Sequence, residues 1–407
     1  MRTERATEGS EAAPTADFVS RQREIRRGLV RSNTATGVVL VVTLLLAVAA
    51  VFYALTAEKH AEAARVATRQ TRAELWKAQL AQATAWRLSS RAGRRSRGLE
   101  AIANAARLRP SLELRNEALS TLPLIDTQPG PPGLVLRETD IACAFAPGRG
   151  LQAWGDPRGR VSVGRLESTN QVATFVLPGR IMALVFSPDE RWLAAYSHRG
   201  GLFAGDPLAE RPALRLALPA GEFNQHALSF HPDSSLLAVC APQEQVRFIR
   251  LDSGVELPPL TPGGPPGAAA FDAAGERLAV VSGGRIRIFD FVTRALVQTI
   301  ELPAYALDLA WHPEGRHLAA ACSDGKILLV AANGEATFAL RGHTGLATRV
   351  IFDPTGAVLV STAWDGTTRF WGASSGWPLL VEDSGYARQF DSSGRRLFHH
   401  REGAGLG

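Results

Sequence analysis

The sequence predicts a mainly β chain: a β-propeller of about seven blades, the last incomplete, preceded by one transmembrane helix and a short α-helical stalk. Two observations predict it. The first is a repeat. Phe145-Ala146-Pro147, Phe186-Ser187-Pro188-Asp189, Phe230-His231-Pro232-Asp233, Phe271-Asp272, Trp311-His312-Pro313-Glu314, Phe352-Asp353-Pro354-Thr355 and Phe390-Asp391-Ser392-Ser393 recur roughly 40 residues apart. In each, an aromatic ends a short strand and a turn pair follows. A second apolar strand comes next, as in Trp192-Leu193-Ala194-Ala195, Leu236-Leu237-Ala238-Val239 and Leu318-Ala319-Ala320-Ala321. One four-stranded sheet cannot bury both of its faces, so such units must stack around an axis. Residues 133–407 are assigned to this domain. The second observation is an apolar run at residues 37–55, inside an uncharged stretch from Ser32 to Ala57.

A helix over 37–55, rising about 1.5 Å per residue, spans about 30 Å, the thickness of a hydrocarbon core. The transmembrane helix is set at residues 35–57. A cleaved signal peptide is the rival reading, and Ala47-Val48-Ala49 offers a small-residue cleavage site. The leader before the run is too long for a usual signal, and Arg26-Arg27 lies too far from the run for a twin-arginine signal, which favours an uncleaved signal anchor. Arg21, Arg23, Arg26, Arg27 and Arg31 precede the span, against Lys59, Arg65 and Arg69 after it. That bias places the N-terminus in the cytoplasm. The expected protein is therefore single-pass in the cell membrane, with everything beyond residue 55 periplasmic or extracellular.

Residues 1–34 are polar, lack a periodic apolar face and are expected to be disordered. Residues 58–122 form the helical juxtamembrane stalk, rich in Ala, Glu, Arg, Gln and Leu and interrupted at Gly93 and Pro110. Two short helices cannot make a solenoid, so the part after Gly93 is expected to be a packing collar. Residues 123–132, with Pro129, Pro131 and Pro132, are the linker into the propeller. At the far end, the seventh repeat supplies strands near residues 386–390 and 395–400, and residues 401–407 are too short and Gly-rich for a third. Residues 133–137 alternate like a strand, but pairing them with the seventh repeat would need that third strand in between, so the ring is expected to close with an unpaired edge.

Composition is that of a globular chain with many turns, with Gly 38, Pro 24 and a formal net charge of +6. Cys143, Cys240 and Cys322 fall in three different repeats, too far apart for bridges, and are expected to be buried thiols. Arg91, Arg94, Arg95, Arg97, Arg107 and Arg109 could contact nucleic acid or acidic lipid, but a solvated helix face is the simpler reading, and no nucleic-acid partner is expected. His226/His231, His312/His317 and His399-His400 lack a carboxylate or cysteine cluster that would complete a metal shell. The histidines at the two equivalent turns, His231 and His312, are expected to be surface residues. No nucleophile elbow, kinase loop or nucleophile–base pair occurs. Catalytic residues, cofactor and metal are all expected to be none, and the chain is expected not to be an enzyme.

Residues 342–371 carry a more specific pattern: Gly342-His343, the turn Phe352-Asp353-Pro354-Thr355-Gly356, Ser361, Trp364-Asp365-Gly366 and Arg369-Phe370-Trp371. This segment resembles the WD40 family, with Trp371-Gly372 standing where that family has Trp-Asp. The resemblance implies a structural tetrad of His343, Ser361, Asp365 and Trp371, joined by hydrogen bonds inside one blade. It also implies a WD40-like propeller that works as a protein-binding scaffold or sensor.

The order of parts is similar to the transmembrane and WD40 half of bacterial receptor-like serine/threonine protein kinases, including Glu74-Leu75-Trp76-Lys77-Ala78, Arg94-Arg95-Ser96-Arg97-Gly98 and Leu112-Glu113-Leu114-Arg115. That likeness suggests a serine/threonine kinase signalling system as partner and makes a truncated or orphaned receptor the first alternative. The second alternative is a periplasmic propeller enzyme or glycan-binding module, which would need carboxylates or a metal shell converging on the channel.

Overall fold

The structure is a computed structural model describing residues 16–127, 142–166, 168, 170–209, 214–218, 226–241, 244–383 and 385–400. The chain divides into two compact units, residues 1–80 with 105–110, and residues 81–104 with 111–407.

The first unit is built on α1 (Ala16–Leu88), one continuous helix. It is long and apolar enough to cross a membrane, and its apolar window has no buried residues. Val38 to Leu55 present an uninterrupted apolar surface, a feature aqueous proteins avoid. Two threonine hydroxyls at this level bond inside the helix: Thr43 Oγ1 donates to the Val39 and Leu40 carbonyls, and Thr56 Oγ1 to those of Phe52 and Tyr53. Both threonine hydroxyls are thereby satisfied without solvent. Residues 16–34 correct the expectation of disorder, since they stand in α1. Their Arg, Glu, Gln and Leu are good helix formers, and extending an existing helix costs far less than nucleating one. Residues 1–15 lie outside the described residues. Lower on α1, Trp76 Nε1 donates to the Arg109 carbonyl at 2.9 Å while the Arg109 guanidinium sits 4.6 Å from the centre of the Trp76 ring.

The second unit is a ring of sheets with a helical collar. Blade one is β1 (Ala142–Ala146), β2 (Leu151–Gly155), β3 (Arg160–Arg165) and β4 (Gln171–Val176). Blade two is β5 (Ile181–Phe186), β6 (Leu193–Ser197), β7 (Gly201–Gly205) and β8 (Leu214–Ala217). Blade three is β9 (Leu228–Phe230), β10 (Leu236–Ala241), β11 (Gln245–Arg250) and β12 (Glu256–Leu260). Blade four is β13 (Pro266–Phe271), β14 (Arg277–Ser282), β15 (Arg285–Asp290) and β16 (Leu296–Glu301). Blade five is β17 (Ala306–Trp311), β18 (His317–Cys322), β19 (Ile327–Ala331) and β20 (Ala336–Leu340). Blade six is β21 (Ala347–Phe352), β22 (Val358–Ala363), β23 (Thr367–Gly372) and β24 (Pro378–Asp383). Blade seven has β25 (Tyr386–Phe390) and β26 (Leu397–His400) among the described residues. Residues 133–137 and 401–407, on which the expectation of an unpaired edge at the seventh blade rests, lie outside the described residues.

Each blade is an antiparallel meander. The first strands β1, β5, β9, β13, β17, β21 and β25 each touch the next, and β25 touches β1, which closes the circle. Phe145 of blade one stacks on Phe398 of blade seven at 4.9 Å. The second strands are buried on both faces, which is why they read as unbroken apolar runs rather than alternations; β6 and β18 show it. The fourth strands alternate, as β4 and β8 do, because one side meets water. Register shifts in β5, β13, β17 and β21 leave Met182, Gly267, Leu307 and Thr348 as bulged residues next to the channel.

Hydrogen bonds between neighbouring turns link successive blades at one end of the ring. A His231 ring nitrogen meets the Gly275 carbonyl at 3.2 Å, Arg277 Nη2 donates to the Gly315 carbonyl at 2.6 Å, and a His312 ring nitrogen meets the Gly356 carbonyl at 3.0 Å. The accepting glycines hold φ of 74°, 69° and 75°, a left-handed turn open to residues without a Cβ. The expectation that His231 and His312 are surface polar residues is corrected here: they are inter-blade connectors, because the turn aims each ring at the next blade.

The collar comprises α2 (Arg94–Leu108) and α3 (Leu112–Thr121). Within this unit, Asp126 caps α2 by accepting from Gly93 N at 2.6 Å and Ser96 N at 2.9 Å, and Arg87 pairs with Glu117 at 2.7 Å. Gly98 sits where a Cβ would crowd Thr121, with Trp86 close by. The collar is joined to blade six. Arg91 bridges Val381 in parallel, Val381 N donates to the Ser90 carbonyl at 2.5 Å, Thr127 Oγ1 donates to Glu382 at 2.6 Å, and Ala92 packs on the Val360–Phe370–Leu380–Ala387 cluster. This backbone pairing covers part of an edge that β24 would otherwise expose.

Candidate functional site

The four residues expected to act together are adjacent in blade six. His343 lies in the loop before β21, Ser361 on β22, Asp365 in the turn after β22, and Trp371 on β23. Trp371 Nε1 donates to Ser361 Oγ at 2.8 Å, and the same oxygen lies 2.8 Å from His343 Nε2. His343 Nδ1 stands 3.1 and 3.2 Å from the two Asp365 oxygens. Asp365 also accepts from Thr344 N at 2.9 Å and Thr367 N at 3.0 Å. With Nδ1 donating to the carboxylate, His343 is neutral and its Nε2 accepts the Ser361 hydroxyl proton, so each polar atom has a complementary partner.

Burial lowers the His343 pKa, and Asp365 only partly opposes it. For Asp365, burial pushes upward, but the Thr344 and Thr367 donors and His343 outweigh it and hold the carboxyl below its ordinary range. Both shifts act in one direction. Each group binds fewer protons folded than unfolded, so stability is present above the unfolded values and is lost as pH falls through them.

A second cluster lies in the channel, and sequence reasoning missed it. The residue three before the closing aromatic of each inner strand is Ala142, Ala183, Ala227, Ala268, Asp308, Arg349 and Ala387. Five blades place a methyl there; blades five and six place opposite charges. One residue nearer the aromatic, blade seven has Arg388 where the others have Cys143, Leu184, Leu228, Ala269, Leu309 and Val350. Aligning the repeats on the aromatic would have exposed the exception. Asp308 accepts from Val350 N at 3.0 Å and lies 3.3 Å from His226 Nδ1. Arg349 Nη2 donates to the Arg388 carbonyl at 2.9 Å. Burial lifts Asp308 to about 6, with Arg349 and the backbone amides of Val350 and Leu309 pulling the other way. Burial, then Arg349 and Arg388, hold His226 well below its ordinary value, so it is neutral at pH 7. Burial also lowers Arg349, against the pull of Asp308.

The remaining singled-out residues are structural in their contacts. Cys143, Cys240 and Cys322 are free and buried. Burial raises Cys240 to about 12 and Cys322 to about 11, which leaves both as thiols. Arg94 donates to the Ile125 and Ser89 carbonyls, and Arg97 lies over the Trp86 ring at 4.7 Å, so part of the basic cluster is spent on holding the collar. No group of three or more His, Cys, Asp or Glu that could hold a metal ion occurs among the described residues.

Comparison with known proteins bears on blades five and six. The WD40 family model (WD domain, G-beta repeat) matches residues 296–329 and 334–372, so the chain carries WD40 repeats. The second match contains all four residues of the His343–Ser361–Asp365–Trp371 group, and the two together contain Asp308 and Arg349. No curated protein matches the chain.

Asp365→Ala removes the acceptor of a buried imidazole and is expected to destabilise the fold by roughly 1–3 kcal/mol. Denaturant unfolding of the detergent-solubilised chain checks this, and an unchanged midpoint would count against the tetrad. For Asp308, the folded pKa lies above the unfolded one, so the ionised carboxylate costs stability that grows as pH rises from about 4 to about 6. Asp308→Asn is therefore expected to gain stability relative to the parent across that interval, read by the same unfolding measurement at stepped pH. A pH-independent difference would refute the assignment.

Proposed function

We propose that this WD40-repeat chain is a single-pass membrane protein that presents its propeller as a non-catalytic docking scaffold or sensor for protein partners. The observation that carries the reading is the pairing of one exposed apolar span with a closed ring whose loop tips bear exposed aromatics. The loops between blades and the turns between second and third strands share one end of the ring. There Tyr305 is 48% and Trp364 71% exposed. The turns between third and fourth strands lie at the other end, where Trp377 is 73% exposed. Large aromatics held out from a rigid scaffold are the residues that anchor protein interfaces. The arginines before residue 37 favour a cytoplasmic N-terminus, which puts the propeller in the periplasm or outside the cell. A glycan-binding or hydrolytic propeller would need several carboxylates converging in the channel; Asp308 is the carboxylate that lines the channel cavity among the described residues. A serine/threonine kinase system remains the partner class suggested by the order of parts.

Two measurements test this. A reporter active only outside the cytoplasm, fused after residue 130, is expected to be active while the chain stays in the membrane fraction. A soluble, shortened mature form beginning near Ala50 would contradict the anchor. With Trp364, Tyr305 or Trp377 replaced in turn by a benzophenone-bearing amino acid, irradiation of intact cells is expected to yield one discrete protein adduct from at least one end of the ring. Absence of any adduct from all three positions would contradict the scaffold reading.

A further inference from the structure

A short strap, residues 89–92, runs between the last residue of α1, Leu88, and the first of α2, Arg94, and lies on the outer edge of blade six. Val381 turns its N–H away from β23 and donates it to the Ser90 carbonyl at 2.5 Å, and Arg91 pairs with Val381 in parallel. Ser90 and Arg91 are exposed. Ala92 lays a methyl group on the Val360–Phe370–Leu380–Ala387 cluster. Nearby, Thr127 Oγ1 donates to Glu382 at 2.6 Å. The joint thus rests on backbone pairing and small side chains, and parallel pairing is the weaker kind per residue. Ser89-Ser90-Arg91-Ala92 contains none of the β-branched or aromatic residues enriched in strands, so its extended shape comes from the edge and not from its own preference. The edge also has more to offer than the strap takes. Asp383, two residues beyond Val381, presents its backbone to the same side. In parallel register Gly93 would stand beside it, but Gly93 N donates to Asp126 at 2.6 Å instead.

We propose that residues 89–92 are a releasable strap over a peptide-binding edge: when the strap leaves, β24 takes an extended segment of a protein partner, with a small residue where Ala92 lies and a basic residue beside Glu382 and Asp383. Strand addition of this kind draws affinity from main-chain bonds and selectivity from alternate side chains. The strap shows both requirements. Its methyl group fits the shallow apolar surface, and its Arg91 stands opposite the residue that precedes the two carboxylates closing β24. While the strap is in place it competes from within the same chain, at an effective concentration in the millimolar range, so a free segment meets a closed edge. The inference is independent of the docking reading above, because it concerns the outer edge of one blade and not the loop tips.

The test uses the full chain in detergent and a fluorescent synthetic peptide of residues 86–95, read by anisotropy. Ala92→Asp in the chain sets a carboxylate against the apolar cluster and is expected to lift the strap. Hydrogen exchange at the Val381 amide is then expected to quicken by roughly tenfold or more, with β21, β22 and β23 protected as in the parent. The peptide is expected to bind this variant roughly tenfold or more tightly than it binds the parent, because no strap competes with it. The same peptide carrying Arg91→Glu or Ala92→Asp is expected to bind the variant roughly tenfold more weakly. Adding Val381→Pro to the Ala92→Asp chain removes the edge donor, a change that edge strands tolerate, and is expected to abolish binding. Should that double variant fail to fold, the altered peptides still decide. Unchanged Val381 exchange in Ala92→Asp, loss of protection throughout blade six, equal peptide binding by parent and variant, or equal binding of the Arg91→Glu peptide would each overturn the proposal.

Discussion

Every sheet in the second unit has two apolar faces and can cover neither by itself. That constraint sets nearly everything else. A second strand buried on both sides, such as Leu193–Ser197 or His317–Cys322, is stable only if a neighbouring blade lies on each face. Blades must therefore follow one another until the ring meets itself, as it does where Phe145 stacks on Phe398. Many of the facing residues are alanine, among them Ala144, Ala183, Ala194, Ala195, Ala320 and Ala321. Small side chains let the sheets approach closely but bury little area each, so hydrophobic burial per residue is modest. Directional contacts between blades then carry more of the specificity, and the turn bonds from His231, Arg277 and His312 to left-handed glycines supply them.

Much of the architecture was legible because aromatic-plus-turn punctuation survives at a fixed interval even where the rest of a repeat has drifted. Blade six was legible to single residues. A Gly-His pair, a serine on the second strand, an aspartate in the next turn and a tryptophan on the third strand are spaced so that only one pairing register joins them, and Ser361 opposite Arg369 is that register. The structural role of the turn histidines was not legible, since a polar residue in a tight turn looks the same whether it faces water or the adjacent blade. Nor was helix over residues 16–34, because the absence of an apolar face argues against packing and not against helicity in a helix already nucleated further along. The docking of the collar on blade six depends on backbone pairing between Ser90–Arg91 and Val381, and backbone pairing leaves no side-chain signature.

The channel charges were hidden for another reason. Asp308 and Arg349 sit on separate strands 41 positions apart in the sequence, and neither is remarkable alone. Their meaning appears only when seven inner strands are superposed and five alanines stand beside them. Local reasoning could not reach this, because what brings the residues together is the ring. The bulges at Leu307 and Thr348 lie directly before Asp308 and Arg349, and such local kinks re-aim the side chains that follow them.

The same cluster joins blades that are distant in sequence. Asp308 of blade five accepts from the backbone of Val350 in blade six, Arg349 of blade six donates to the backbone of Arg388 in blade seven, and His226 at the entry to blade three reaches Asp308. Ring closure is entropically the most expensive contact in a propeller, since it joins strands that are far apart along the chain. The polar bonds at the axis tie blades three, five, six and seven to one another, while closure itself is made where blade seven meets blade one, with Phe398 stacked on Phe145.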